Sequence, residues 1–372
     1  MENNSNGILG VFFTWSIGVT LLGTMLYPYL QAEGFSELEM LGLATFGFGA
    51  FLLPLILLAL YGRVHNSFSI FAGMTVMAAS LFLLSASRGL VPILAYFLIS
   101  GLGIVLFWYP LNVLWFRKKS VENAFRGAIY YAIPVFIGVA IPAAAGFISG
   151  GWGFMALFAA AAFVMVLGMA FSRTLGPGKI LKGNLSQAVS AVSGFRTLFF
   201  LEGFAWFGVT VVVLIITLEY FSLPADFGSF ISVTAFLAVV LSFLFARLSD
   251  KHRKRREFVV VFSGGLGLAL ILSSFAGTVE LWFWGMVGIS FFKTLFFPFP
   301  LAVLVDRGGN IAHAMLGREL FLSSGRFAAG IVSIGAYLAL GSLNSVLLVL
   351  GVIVFAYPLV FEFFKKEKAC VQ

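Results

Sequence analysis

Apolar runs of about 20 residues recur from one end of this chain to the other, and that recurrence constrains its fold more than any other feature of the sequence. A helix that crosses a bilayer needs about 20 predominantly apolar residues, because hydrocarbon tolerates only a backbone that satisfies its own hydrogen bonds. Twelve such runs are expected, near 7–30, 39–61, 67–87, 90–116, 127–149, 152–172, 197–219, 227–247, 258–277, 281–305, 319–341 and 343–364. Charged residues are only 10% of the chain and hydrophobic ones 61%, whereas soluble domains carry roughly 25% charged residues. The reading is an all-α membrane protein, with 41 glycines suited to helices that approach closely in lipid. The amino terminus lacks the basic region of a cleavable signal peptide, so the first run is expected to remain as a helix.

The basic residues orient the spans. With both termini cytoplasmic, 20 of the 23 lysines and arginines fall in inside segments, Arg88 alone falls outside, and Lys293 and Arg326 lie within spans. That asymmetry is the positive-inside pattern. It accounts for the net charge of +8 through attraction to an anionic inner leaflet, so nucleic acid is not an expected partner. The run "KHRKRR" reads as an orienting loop. The expected location is the cell membrane, and the expected partners are membrane lipid, a small-molecule substrate and protons, with the chain as a monomer.

The longest hydrophilic break, 173–196, divides the runs six and six. The expected organisation is a first bundle over 1–172, a linker over 173–196, a second bundle over 197–364 and a tail over 365–372. The halves echo each other. "YPLNVLWFRKK" begins at Tyr109 and "FPLAVLVDRGG" at Phe299, matching Pro110 to Pro300, Leu111 to Leu301 and Arg117 to Arg307. Parallel repeats about an axis along the membrane normal mark one large transporter architecture.

Three stretches carry a family resemblance. "ARLSDKHRKR" (246–255) resembles the loop signature of the major facilitator superfamily, with Asp250 and Lys251 in register and Ala246 and Arg253 standing where that signature has glycines. "GGWGFMALFAAAAF" (150–163) is similar to the family's entry into span six, and "IPAAAG" (141–146) shares a proline and a glycine with its antiporter signature. The first-half counterpart, "YGRVHN" (61–66), keeps Gly62 but has Asn66 where the family has aspartate. The resemblance implies two pseudo-symmetric six-helix bundles, alternating access, and a central path lined by spans one, four, seven and ten. Asp250, at a helix end beside Arg247 and Lys251, is expected to latch the inside face by contacts present in one arrangement of the halves, with Arg126 as a partner.

Within the spans, Lys293 lies thirteen residues from both Glu280 and Asp306, roughly 20 Å from either end. Insertion of lysine at such a depth costs about 2.5–3.5 kcal/mol unless it faces a wet cavity or a partner. Prolines 298 and 300 are expected to bend the helix just below it. Arg326 is read as seven residues into its span, roughly 10 Å deep, with Ser323, Gly330, Ser333 and Tyr337 on the same face and Asp306 as a possible ion-pair partner. Glu202 starts a stripe with Trp206, Thr210 and Thr217. Span one offers Ser16, Thr20, Thr24 and Tyr27, and span four Trp108, Tyr109 and Asn112. The candidate substrate site is therefore Lys293, Arg326, Glu202, Trp206, Thr20, Thr24, Tyr109, Asn112, Ser333 and Tyr337, with Glu202 also a proton carrier. Two buried cations against one buried acid favour an anionic or zwitterionic solute. An amphipathic drug or lipid is the alternative substrate, a receptor or scaffold the non-transport alternative, and a Lys293–Glu202 pair the alternative explanation of those charges. His65, His252 and His313 fall in loops without metal spacing, and Cys370 is the single cysteine, so neither an enzyme nor a cofactor is expected.

Overall fold

Capping residues start several of the helices where the apolar runs begin. The computed structural model describes residues 5–116, 123–176, 179–250 and 255–361. Helix α1 spans Ser5–Ala32. Ser36 then starts α2 (Glu37–Tyr61) through a capping box with Glu39. A short strand β1 (Arg63–His65) leads into α3 (Asn66–Ala86), and α4 runs over Leu90–Phe116. Helix α5 (Asn123–Ser172) contains the fifth and sixth expected spans in one 50-residue assignment, broken at Gly153, whose φ of 83° is left-handed. Only glycine adopts that conformation without strain. Beyond the break the chain runs antiparallel to α1: Gly10 meets Phe171, Gly18 meets Met165, and Tyr29 packs edge-on against Phe158.

Described residues of the expected linker form regular elements. Strand β2 (Ile180–Lys182) pairs antiparallel with β1, and helix α6 (Leu185–Ala191) follows from an Asn184 cap. The second half comprises α7 (Arg196–Phe207), a π-turn over Gly208–Val212, α8 (Val213–Tyr220), α9 (Pro224–Asp250), α10 (Arg255–Ser273), α11 (Val279–Phe296), α12 (Pro298–Asp306), α13 (Ile311–Leu340) and α14 (Leu343–Phe355). The expected tenth span is indeed interrupted at Pro298. Among the described residues ten helical stretches are long and apolar enough to cross a membrane, the one through Gly153 being 40 residues long, and Glu257–Ser273 is a shorter apolar helix. The protein is a multi-pass membrane protein.

Among the described residues two main seams join the halves. Along one, α5 and α9 meet backbone to backbone: a side chain at Gly146 would strike the Pro224 carbonyl, one at Gly228 would strike that of Pro142, and the Ala143 N–H donates to Ser232 Oγ at 2.9 Å. Along the other, Gly330 of α13 faces Thr45 of α2, and Gly49 faces the Phe327 ring. Tyr337 faces Glu37 at one end of this seam. At the other end Leu55 and Leu58 of α2 share an apolar cluster with Ala314, Met315 and Leu316 of α13. Of the residues matched in the internal repeat, Leu111 of α4 and Leu301 of α12 are both buried.

Within the second half, α7 and α13 cross at Gly203 and Gly325. A Cβ on Gly203 would stand 2.5 Å from the Leu322 carbonyl oxygen, and one on Gly325 would strike that of Phe200. Real side chains do not approach backbone so closely, so the helices must part if either glycine is enlarged. Gly325→Val is accordingly expected to cut the yield of monodisperse protein several-fold, which size-exclusion chromatography reads directly; a wild-type profile would refute the close crossing.

Candidate functional site

The crossing of α7 and α13 gathers the buried charges. Glu202 lies on α7 one residue before Gly203 and is fully buried. Its Oε1 accepts from Arg318 Nη2 at 2.6 Å, and Arg318 Nη1 donates to Glu319 Oε1 at 2.9 Å. The Arg318 guanidinium also lies 5.7 Å from the Phe199 ring centre. Buried ions persist when they are paired and hydrogen-bonded, and one arginine here answers two carboxylates.

This network corrects two sequence readings. The sequence reading places Arg318 in an inside segment and starts the eleventh span at 319. Instead α13 begins at Ile311, with Asn310 Oδ1 accepting from the N–H groups of Ala312 and His313, and both charges lie two turns inside. The signal that was present is that asparagine cap. The partner of Glu202 is Arg318 rather than Lys293. The earlier start also deepens Arg326: it lies fifteen residues into α13, roughly 22 Å along the axis, well beyond the expected 10 Å.

Arg326 makes no ion pair or hydrogen bond among the described residues; its company is aromatic. Its guanidinium carbon lies 5.0 Å from the Trp206 ring centre and 5.9 Å from that of Phe48, both within cation–π range. Phe48 belongs to α2, so Arg326 spans the seam between the halves. The expected Asp306 partner has a side chain outside the described residues. Trp206 stacks on Phe297 at 4.4 Å with the planes 10° apart. Phe297 is one turn past Lys293, whose carbonyl accepts its N–H at 3.1 Å. Met286, Ile289 and Ser290 precede Lys293 by seven, four and three residues, and all are buried. Lys293 therefore shares the inward face of α11, half-buried and unpaired among the described residues. Among the described residues, Glu202 Oε2, Trp206 Nε1 and Ser323 Oγ are buried near the crossing without a hydrogen-bond partner. Such atoms are rare in protein interiors.

Thr24 donates to the Thr20 carbonyl at 2.9 Å, Thr210 to that of Trp206 at 2.7 Å and Ser333 to that of Ala329 at 2.7 Å, so these hydroxyl protons are spent within their own helices. Tyr109 is buried in the apolar cluster formed with Phe199 and Leu301, and Asn112 is buried one turn further along α4. Tyr337 stands at the far end of the α2–α13 seam, opposite Glu37. For the expected latch, Lys251 lies outside the described residues, as do the side chains of Arg126, Arg247 and Asp250. Phe48, Phe297, Arg318 and Glu319 were missed in sequence; for the two phenylalanines there was no signal, since they are two among 45. No group of three or more metal-binding side chains occurs among the described residues.

No protein-family model matches the sequence, and no curated protein matches it. Solved structures do. A POT family transporter in complex with a thioalcohol-conjugated peptide superposes with a TM-score of 0.76 at 15% identity, covering 97% of this chain and 96% of that one. A POT family transporter in complex with 5-aminolevulinic acid gives a TM-score of 0.73 at 15% identity over the same shares. The human organic anion transporter MFSD10 (TETRAN) gives 0.72 at 13% identity, over 97% of this chain and all of that one. The chain has the major facilitator fold. In the order of that fold, Glu202 and Trp206 fall on the seventh expected span, Lys293 and Phe297 on the tenth, and Arg318, Glu319 and Arg326 on the eleventh. The major facilitator fold thus explains why residues far apart in sequence converge at one crossing, while at 13–15% identity it leaves their chemistry to be argued from the side chains themselves.

Proposed function

We propose that this protein is a secondary transporter that moves a small organic monoanion through a path between its two halves. The observation that supports this reading is the charge balance at the α7–α13 crossing. Arg318 is matched to Glu202 and Glu319, while Arg326 and Lys293 have no ionic partner among the described residues. Arg318, Arg326, Glu202 and Glu319 sum to zero at the crossing, and Lys293 on α11, joined to it through Phe297 and Trp206, adds +1, which one substrate carboxylate neutralises. Arginine can meet a carboxylate with two parallel hydrogen bonds, and Lys293 adds a point charge. The rings of Phe48, Trp206 and Phe297 favour an apolar body on that anion. Because Phe48 comes from α2 and Arg326 from α13, a ligand held there senses the relative position of the halves, which alternating access requires. Glu202 and Glu319 share one arginine, so a proton arriving on either carboxylate leaves the other fully paired; the proton-coupling role belongs to this pair.

Proteoliposomes provide the test. Aromatic and aliphatic monocarboxylates should enter, neutral sugars and organic cations should not, and an inward proton gradient should alter the monocarboxylate flux. Glu202→Gln should transport without responding to the gradient. Transport of cations or sugars in place of anions would overturn the substrate reading, and a wild type indifferent to the gradient would overturn the coupling.

A further inference from the structure

The two-stranded ribbon contains an arrangement that the transport reading leaves unexplained. Its register sets Arg63 directly opposite Lys182 and His65 opposite Ile180. Directly opposed like charges destabilise a strand pair, yet this ribbon is held firmly. Gly183 N–H donates to Gly62 O at 2.8 Å, Asn66 N–H to Lys179 O at 3.2 Å, and Ser67 Oγ to Gly176 O at 2.9 Å. Strand alternation turns Leu181 inward, where it is buried, and leaves Arg63, His65, Ile180 and Lys182 on the outer face, all exposed. Lys179 is exposed beside them.

Among the described residues nothing in the adjoining chain offsets this charge; Glu122 lies outside them. Residues 40–121 and 123–201 contain no aspartate or glutamate at all. Arg63, His65, Lys179 and Lys182 make no ion pair among the described residues. Around them stand large apolar side chains that face away from the protein: Tyr61 is 81% exposed, Phe68 68% and Ile180 63%. Basic groups rimmed by outward aromatic residues at the ends of apolar helices match the level of lipid headgroups. This end of the helices is the one that carries the basic loops.

From this geometry we propose that the outer face of the β1–β2 ribbon binds the headgroup of an anionic phospholipid, with its phosphate between Arg63 and Lys182 and its acyl chains along Tyr61 and Phe68. The bound phosphate turns an opposed pair of cations into a bridged one. A zwitterionic headgroup carries its own ammonium and cannot do the same. The consequence reaches both halves. The linker that supplies β2 also seats α6 on α13, where Gly317 leaves room for the Ala188 carbonyl, and Ser193 O accepts from Arg307 Nη1 at 2.7 Å. A lipid that fixes the ribbon thereby fixes the first-half anchor of a strap whose other anchor is the second half. This inference rests on the membrane setting alone and is independent of what is transported.

The test uses the full chain in nanodiscs of phosphatidylcholine, with or without phosphatidylglycerol, and native mass spectrometry after partial delipidation. Wild type should melt about 2–4 °C higher with phosphatidylglycerol and should retain at least one molecule of it. Arg63→Gln combined with Lys182→Gln should lose both effects, while Arg88→Gln at the opposite end should keep them. Lys182→Glu, which places opposite charges across the strands, should raise the melting point in pure phosphatidylcholine and abolish the increment. Retention of phosphatidylglycerol by the double variant, an equal increment in Lys182→Glu, or the same increment from inorganic phosphate without anionic lipid would each overturn the proposal.

Discussion

Arg318→Met is expected to destabilise the protein by about 3–5 kcal/mol, the usual cost of stranding a buried charge. Glu202 is fully buried and accepts from Arg318 at 2.6 Å, and Glu319 accepts from the same guanidinium at 2.9 Å. Removing the arginine leaves two carboxylates without a cation at the point where α7 and α13 touch. Neutralising the acids should reverse most of the loss: the triple change Arg318→Met, Glu202→Gln and Glu319→Gln should fall within about 1–2 kcal/mol of wild type, because a buried ion network and an apolar or neutral replacement are often near parity. Denaturant titration in detergent micelles reads both. A single variant as stable as wild type would mean that the network is not a structural element.

Arg326→Gln and Lys293→Gln are expected to leave that stability nearly intact while weakening monocarboxylate binding. Neither cation is paired among the described residues, so neither substitution strands a charge. A hydrogen bond to a charged group contributes about 1.5–3 kcal/mol, which corresponds to roughly 10- to 150-fold in affinity. The larger loss should fall on Arg326, which can bond a carboxylate twice. Lys293→Arg should recover part of the affinity and Arg326→Lys little of it, since the planar fork is not replaced. Isothermal titration with a monocarboxylate that stabilises the wild type would show this. Unchanged affinity in both glutamine variants would remove these residues from the site.

Most of the fold was legible because lipid imposes a length and a composition on each span. The break at Pro298 was legible for the same elementary reason, a missing backbone donor. The turn inside α5 was less so: "SGGWG" offers three glycines, and only coordinates show that Gly153 is the one with φ of 83°. The candidate site was half legible. Lys293, Glu202 and Arg326 stood out as charges in apolar surroundings. Arg318 and Glu319 did not, because two adjacent charges near a span boundary look like a loop until the Asn310 cap is given weight. The ribbon was illegible in principle, since a three-residue strand is defined by a partner more than a hundred residues away.

The charged crossing has a lopsided placement. Glu202, Lys293, Arg318, Glu319 and Arg326 all belong to the second half, and what the first half offers Arg326 is the ring of Phe48. Parting a guanidinium from a ring costs about 0.5–2 kcal/mol, far less than pulling a buried salt bridge open. Among the described residues the first half brings no charge to Arg326, so in the proposed cycle the halves could part at this crossing without unplugging any ionic wiring, and the low toll there would be set by one phenylalanine.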